Sequence, residues 1–170
     1  DALKDITNIV DICCSKLENN ELLKTAAVAI GFCIANAGDY ISTIEIEKAD
    51  RPELYDLLKA VLKFYLLPGV PTEINIPLYF NFFIYSLLVI IQLREIDGYK
   101  AEVLCSLTKI IVFIITMPVE IAFDGMALTG YILSLLSSRG RYLSFDTKMA
   151  FLSLVASICS KKREVSKFVF

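Results

Sequence analysis

A nucleophile needs a base beside it, and this chain contains no histidine. That excludes Ser–His and Cys–His pairs, histidine-ligated zinc and the commonest general base in one step. The five cysteines, Cys13, Cys14, Cys33, Cys105 and Cys159, show no C-x-x-C spacing, so an all-thiolate metal site is not expected. Cys13 and Cys14 are adjacent and could cycle as a redox pair; apolar filler on a buried helix face is the favoured reading. Carboxylates gather at Glu45, Glu47, Asp50, Glu53 and Asp56. Acid–base work would require two of them to converge across a cleft, and a solvated acidic edge is the expectation instead. There is no G-x-G-x-x-G, no Walker loop and no H-E-x-x-H. The reading is a non-enzymatic protein with no cofactor, no metal and no small-molecule substrate.

Polar side chains set inside apolar or basic surroundings are the better candidates for recognition. Asn81, Tyr85 and Gln92 interrupt the stretch "LYFNFFIYSLLVIIQL" (78–93). At 100° per residue they fall on one narrow stripe with Leu88. They either satisfy backbone groups in the core or line a groove that receives a partner helix or strand. The C-terminal third is biased to positive charge by Arg139, Arg141, Lys161, Lys162, Arg163 and Lys167. Cations favoured near helix carbonyl ends account for most of these, and an acidic segment of a protein partner would suit the rest. Nucleic acid is not expected, because its binding modules carry more positive charge and stacking aromatics.

The elements that hold these residues must come from 170 residues of which 56% are hydrophobic and 21% charged, with a formal net charge of −2. Such a chain suits one folded domain, with ample apolar surface to offset chain entropy. It opens on Asp1 rather than methionine, which reads as a piece of a longer protein. Lys4, Asp5 and Asp11 interrupt its first apolar stretch, so no signal peptide is read there. Unpaired cysteines point to a reducing compartment, hence to cytoplasm or nucleus.

The longest uncharged run, Ile74 to Leu93, is long enough in principle to span a bilayer. Asn75 and Pro77 look like an entry loop, however, and the polar stripe runs along what remains. The expectation is a central core helix, nearly encircled by others.

The periodicity elsewhere predicts helices over about 2–18 and 21–37, one that starts at "DRPE" (50–53) and ends before "PG" (68–69), and others over about 99–116, 119–137 and from 145 onward. Gly38 is read as the stop of the second. Asp50 is read as a cap, with Pro52 in the first turn and Glu53 reaching back. Ser144 caps the last helix, and Asp146 favours its dipole. Brief alternation in "ISTIEIEKAD" (41–50) and "TEINI" (72–76) suggests extended segments, pairing as a two-stranded ribbon. The last ten residues begin one more helix or fray.

Two segments, "KTAAVAIGFCIANAGDYI" (24–41) and "KMAFLSLVASICSKKREV" (148–165), share a small-residue-rich helix followed by a polar loop. Small residues let stacked helices approach closely. "AAVAIGFCIA" (26–35), and more loosely "AFLSLVA" (150–156), resemble the third helix of an armadillo repeat, A-A-W-A-L-S-N-I-A. The resemblance implies an armadillo- or HEAT-like stack with a concave groove. In that family a tryptophan and an asparagine clamp an extended peptide. Val28 and Phe32 stand at those positions here, and Ala150 and Leu154 in the second segment, so the peptide-clamping ladder is missing.

The expectation is therefore an all-α domain over residues 1–170, with seven or eight helices stacked in antiparallel pairs as a superhelical array. It would act as a scaffold or adaptor that binds another protein or peptide segment along a groove or helix face. The candidate contacts are Asn81, Tyr85, Gln92, Arg139, Arg141, Lys161, Lys162 and Arg163. The alternatives are a compact helical bundle, of viral or apoptosis-regulator type, receiving an amphipathic helix, and a membrane-embedded helical domain.

Overall fold

The computed structural model describes the backbone of residues 2–16, 20–67, 76–93, 95–96, 98–118 and 121–169, and the side chains of these except 20 and 162–169. Those residues form eight α-helices and no strand: α1 Ala2–Lys16, α2 Asn20–Thr43, α3 Ile46–Ala49, α4 Pro52–Tyr65, α5 Ile76–Ile91, α6 Gly98–Thr116, α7 Gly125–Arg139 and α8 Phe145–Val169. The all-α expectation holds, with antiparallel packing between helices. The chain divides into two compact units, Asp1–Val89 and Ile90–Phe170.

In the first unit α1 packs on α4 and on α2. Leu3 and Val10 of α1 are buried, and α4 buries Leu54, Leu57, Leu58, Val61 and Phe64. α2 meets α5 at Gly38. A Cβ there would lie 2.9 Å from the Phe82 Cα, so only a residue without a side chain allows this approach. The Tyr79 hydroxyl of α5 donates to the Ala27 carbonyl of α2 at 3.0 Å. The Tyr65 ring of α4 sits 5.5 Å from that of Tyr79 and edge-on to Phe83 at 5.7 Å, a favourable aromatic geometry.

Burial pushes the Tyr79 phenol far above the ordinary tyrosine value, helped by neighbouring Tyr65, and burial raises Tyr65 as well. Both are held neutral. Unfolded tyrosines ionise near about pH 10, so above that the unfolded chain sheds protons that the native chain keeps. Stability is complete below about pH 10 and falls as pH climbs toward the raised native values, by up to about 1.4 kcal/mol per pH unit per tyrosine. Urea melts across that range check this. Tyr79→Phe should lose about 1 kcal/mol at neutral pH, with the hydrogen bond to Ala27, and flatten the alkaline decline.

In the second unit α6 packs on α8, and α7 packs on α8 and on a 3-10 turn, Gly140–Tyr142. Its core joins Leu104, Leu107, Ile111 and Ile114 of α6, Leu128 and Ile132 of α7, and Phe151 and Leu154 of α8. Thr108 is buried among them because its hydroxyl returns to the Leu104 carbonyl at 2.7 Å. Ser144 caps α8 as expected, accepting from the Thr147 amide at 3.2 Å.

Several boundaries differ from the sequence expectation. Gly38 does not end α2, which continues to Thr43; the glycine serves a close approach rather than a left-handed cap. The alternation at 41–50 is not a strand: it holds the end of α2 and the single turn of α3. Residues 72–75 of the second extended segment lie outside the described residues, and Ile76 already begins α5. Asp50 does not cap α4. The N-cap is Arg51, whose side chain makes no capping hydrogen bond, and the Asp50 carboxylate accepts from the Tyr55 hydroxyl at 3.0 Å. α7 starts later than 119, where Asp124 accepts from the Ala127 amide at 3.0 Å. α8 runs on through the final ten residues to Val169.

Candidate protein-binding surfaces

The apolar stretch 78–93 proves to lie in the most enclosed of the described helices. α5 buries Tyr79, Phe80, Phe82, Phe83, Leu87 and Ile90. Its polar stripe is its less covered edge: Leu78, Asn81, Tyr85 and Leu88 are half-buried, and Gln92, in the turn beyond, is exposed. Asn81 is partnered by its unit, its amide donating to the Asp39 carboxylate at 3.2 Å. The stripe forms a polar margin to the core. Two hydroxyls, of Tyr65 and Ser86, are buried without a hydrogen-bond partner among the described residues, a cost of about 1–3 kcal/mol each if water does not serve them.

The basic residues divide by role. The Arg139 guanidinium donates to the Leu93 carbonyl at 2.6 Å and to the Ile91 carbonyl at 3.2 Å. It thereby closes the carboxyl end of α5, where helix carbonyls lack intrahelical donors. The Lys161 ammonium does the same for α6, donating to Ile115 at 3.2 Å and Met117 at 3.0 Å. These two cations hold helix ends together, as helix polarity favours. Arg141 is exposed, its guanidinium 5.2 Å from the centre of the Tyr142 ring. Lys162 and Arg163 lie on the helical backbone of α8, and their side chains are outside the described residues.

The candidate chemical groups do not assemble. All five cysteines are free. Burial raises the thiols of Cys13 and Cys14, for Cys14 despite the lowering influence of Lys63, which disfavours the reactive thiolate. No three potential metal ligands gather among the described residues. Glu45 pairs with Lys48 at 3.7 Å on the surface. Glu53 and Asp56 line an open depression of about 500 Å³ between α1 and α4, but they share its wall with Lys4, Lys59 and Lys63.

Sequence reasoning missed two exposed apolar helix faces. α8 buries Ala150, Phe151, Leu154 and Ile158 on one side, and on the other exposes Phe145, Met149, Leu152, Ala156 and Cys159. Helical geometry sets the two rows about 180° apart. Phe145 is 73% exposed and Leu152 49%. The outer row steps alternately by four and three, the spacing of a helix–helix seam. Near its far end Phe123, Met126, Ile158, Cys159 and Lys161 border an apolar hollow of about 510 Å³.

α2 is two-faced in the same way. Leu23, Ala27, Ile30, Ile34 and Ile41 are buried, while Leu22, Val28, Phe32 and Tyr40 are exposed. Val28 and Phe32, the positions matched to the armadillo groove, thus face solvent, whereas Ala150 and Leu154 of the second segment are buried. The signal that marks these outer rows is apolar residues on both faces, which in a bare sequence reads as a fully enclosed helix.

No family model, curated protein or solved structure matches this chain.

Proposed function

We propose that this chain is a non-enzymatic scaffold or adaptor that binds another protein through an exposed helix face, with its helices stacked as an armadillo- or HEAT-like array. The observation that carries this reading is the outer row of α8, an apolar seam at helix-packing spacing opposite the row that builds the core. Exposed apolar surface of this continuity marks an interaction site. Its chemistry fits an amphipathic segment with apolar residues at helical spacing. Lys162 and Arg163 follow the row in the sequence of α8, so acidic residues at one end of the partner suit the site. The triple α6, α7 and α8, in which α8 packs on both others, supports the repeat-like stack. The free cysteines support a reducing, intracellular setting.

Affinity capture with the purified chain tests the reading, using Leu152→Asp as the discriminating variant. Leu152 is exposed, so the fold should survive, as circular dichroism checks, and the captured partner should be lost. Reversing Lys162 and Arg163 together should weaken capture roughly tenfold at low salt and less at high salt. Lys161 is left intact, because its reversal would open the end of α6. Capture of the same protein by Leu152→Asp at undiminished affinity overturns the proposal.

Membrane attachment is the second reading, and α2 is what favours it. Glu21–Thr43 is the one described helix long and apolar enough to cross a bilayer, with 39% of its apolar window buried. α5, at 16 residues, spans only about 24 Å, short of the bilayer core. Recovery of the chain in solution without detergent would exclude the membrane reading.

A further inference from the structure

The outward face of α6 carries a pattern of its own, apart from the α8 row. From Tyr99 to Phe113 the exposed residues are these two with Glu102, Ser106 and Lys109. They lie on the side away from Leu104, Leu107, Ile111 and Ile114, which build the core. Steps of three, four, three and four set them in two adjacent lanes. At 100° per residue Tyr99, Ser106 and Phe113 fall within about 40° of one another, and Glu102 and Lys109 within about 20°. Phe113 is 53% exposed and Tyr99 42%, one ring at each end.

The two charges have no counter-ion on their own helix. Three and four residues from Glu102 stand Gly98, Tyr99, Cys105 and Ser106; from Lys109 they are Cys105, Ser106, Val112 and Phe113. None is charged, so neither has the partner one turn away that Glu45 finds in Lys48. Neither is in an ion pair among the described residues. Their placement is symmetric about Ser106: the rings are seven residues away on either side, and the charges four and three. A two-fold axis beside Ser106, perpendicular to both helices, opposes residues of one lane at equal distances from it. Glu102 of one copy then meets Lys109 of the other, twice, and Tyr99 meets Phe113, twice. A parallel arrangement would oppose Glu102 to Glu102 and Lys109 to Lys109, so the charges select the antiparallel one.

We propose that a second copy of this chain docks antiparallel on the outward face of α6, with Glu102–Lys109 pairs on both sides of the axis and an aromatic pair at each end. Ser106 faces its counterpart, and its short side chain lets the two helices approach there. The contact runs about 21 Å along the helix, a size that suits a reversible dimer rather than an obligate one.

Sedimentation equilibrium of the intact chain over a wide concentration range tests this, and should show monomer and dimer in exchange. Phe113→Asp, at an exposed position, should leave a monomer with unchanged circular dichroism. Glu102→Lys and Lys109→Glu should each weaken the dimer roughly tenfold, because both pairs become repulsive, and the double exchange should restore it. Restoration separates a contact in this register from general stickiness. A monomer at every concentration overturns the proposal. So does a dimer indifferent to Phe113→Asp, or a double exchange that binds no tighter than the single ones. A dimer that Leu152→Asp abolishes and Phe113→Asp does not would assign self-association to the α8 row and overturn it too.

Discussion

Arg139→Met lowers stability by about 2–3 kcal/mol, although it removes a residue that reads as a surface cation. The half-buried guanidinium makes two charge-assisted hydrogen bonds, at 2.6 and 3.2 Å, to the Leu93 and Ile91 carbonyls. A hydrogen bond to a charged group contributes about 1.5–3 kcal/mol, and carbonyls left without a donor add a desolvation cost. Partial exposure moderates the sum. Arg139→Lys should recover less than half of the loss, because one ammonium cannot reproduce the planar fork that spans two carbonyls. Denaturant melts of the three proteins measure this, and amide exchange should rise locally around residues 91–93. A loss under about 0.5 kcal/mol for Arg139→Met would show that water serves those carbonyls equally well.

The second large effect comes from a pair of glycine substitutions of opposite sign. In a helix interior, alanine is better than glycine by about 1 kcal/mol. Gly130 lies in α7, and a Cβ there meets nothing within 4 Å, so Gly130→Ala should stabilise by about 0.5–1 kcal/mol. At Gly38 the new carbon would sit 2.9 Å from the Phe82 Cα and 3.3 Å from its amide nitrogen. Backbone atoms cannot rotate aside, so α2 and α5 must separate. Overpacking of this kind costs about 1–3 kcal/mol. Gly38→Ala should therefore be destabilising despite its better helix propensity, and Gly38→Val should lose about 3 kcal/mol or more. Thermal melts of the set decide it. Equal stabilisation by both alanines would mean that the α2–α5 approach is not tight.

These residues also show which parts of the fold were legible from composition and spacing. Pro52 and Pro118 bracket α4 and α6 well, because the ring forbids an interior position whatever the tertiary surroundings. The Ser144 cap was equally local, and it is where expected. Gly38 misled because two different needs, a left-handed cap and a close helix crossing, select the same residue. Only the position of Phe82, which is far away in sequence, tells them apart. Asp50 misled by one residue: any carboxylate just before a proline resembles a cap, and the Tyr55 hydroxyl claimed this one instead. The alternation at 41–50 was too short to outweigh the continuation of α2.

The candidate surface was less legible than the fold. Charge and polarity drew attention to Arg139 and Lys161, whose bonding capacity goes to helix ends. The exposed rows of α2 and α8 escaped because periodicity detects one apolar face against one polar face. When both faces are apolar the contrast vanishes, and the helix looks like one surrounded on all sides. α5 is enclosed on all but its polar edge, and it has the same appearance in sequence. What separates them is how many neighbours enclose each, a property of the assembled chain.

The distribution of sulfur offers a practical handle on how the two units open. Cys13 and Cys14 sit half-covered in the first unit and Cys105 half-covered in the second, while Cys33 and Cys159 stand in solvent. A maleimide pulse should modify the two solvent-facing thiols at once. Slow later uptake at positions 13 and 14, timed against uptake at 105, would then clock the loosening of each half of the molecule independently, by mass spectrometry and without an engineered label.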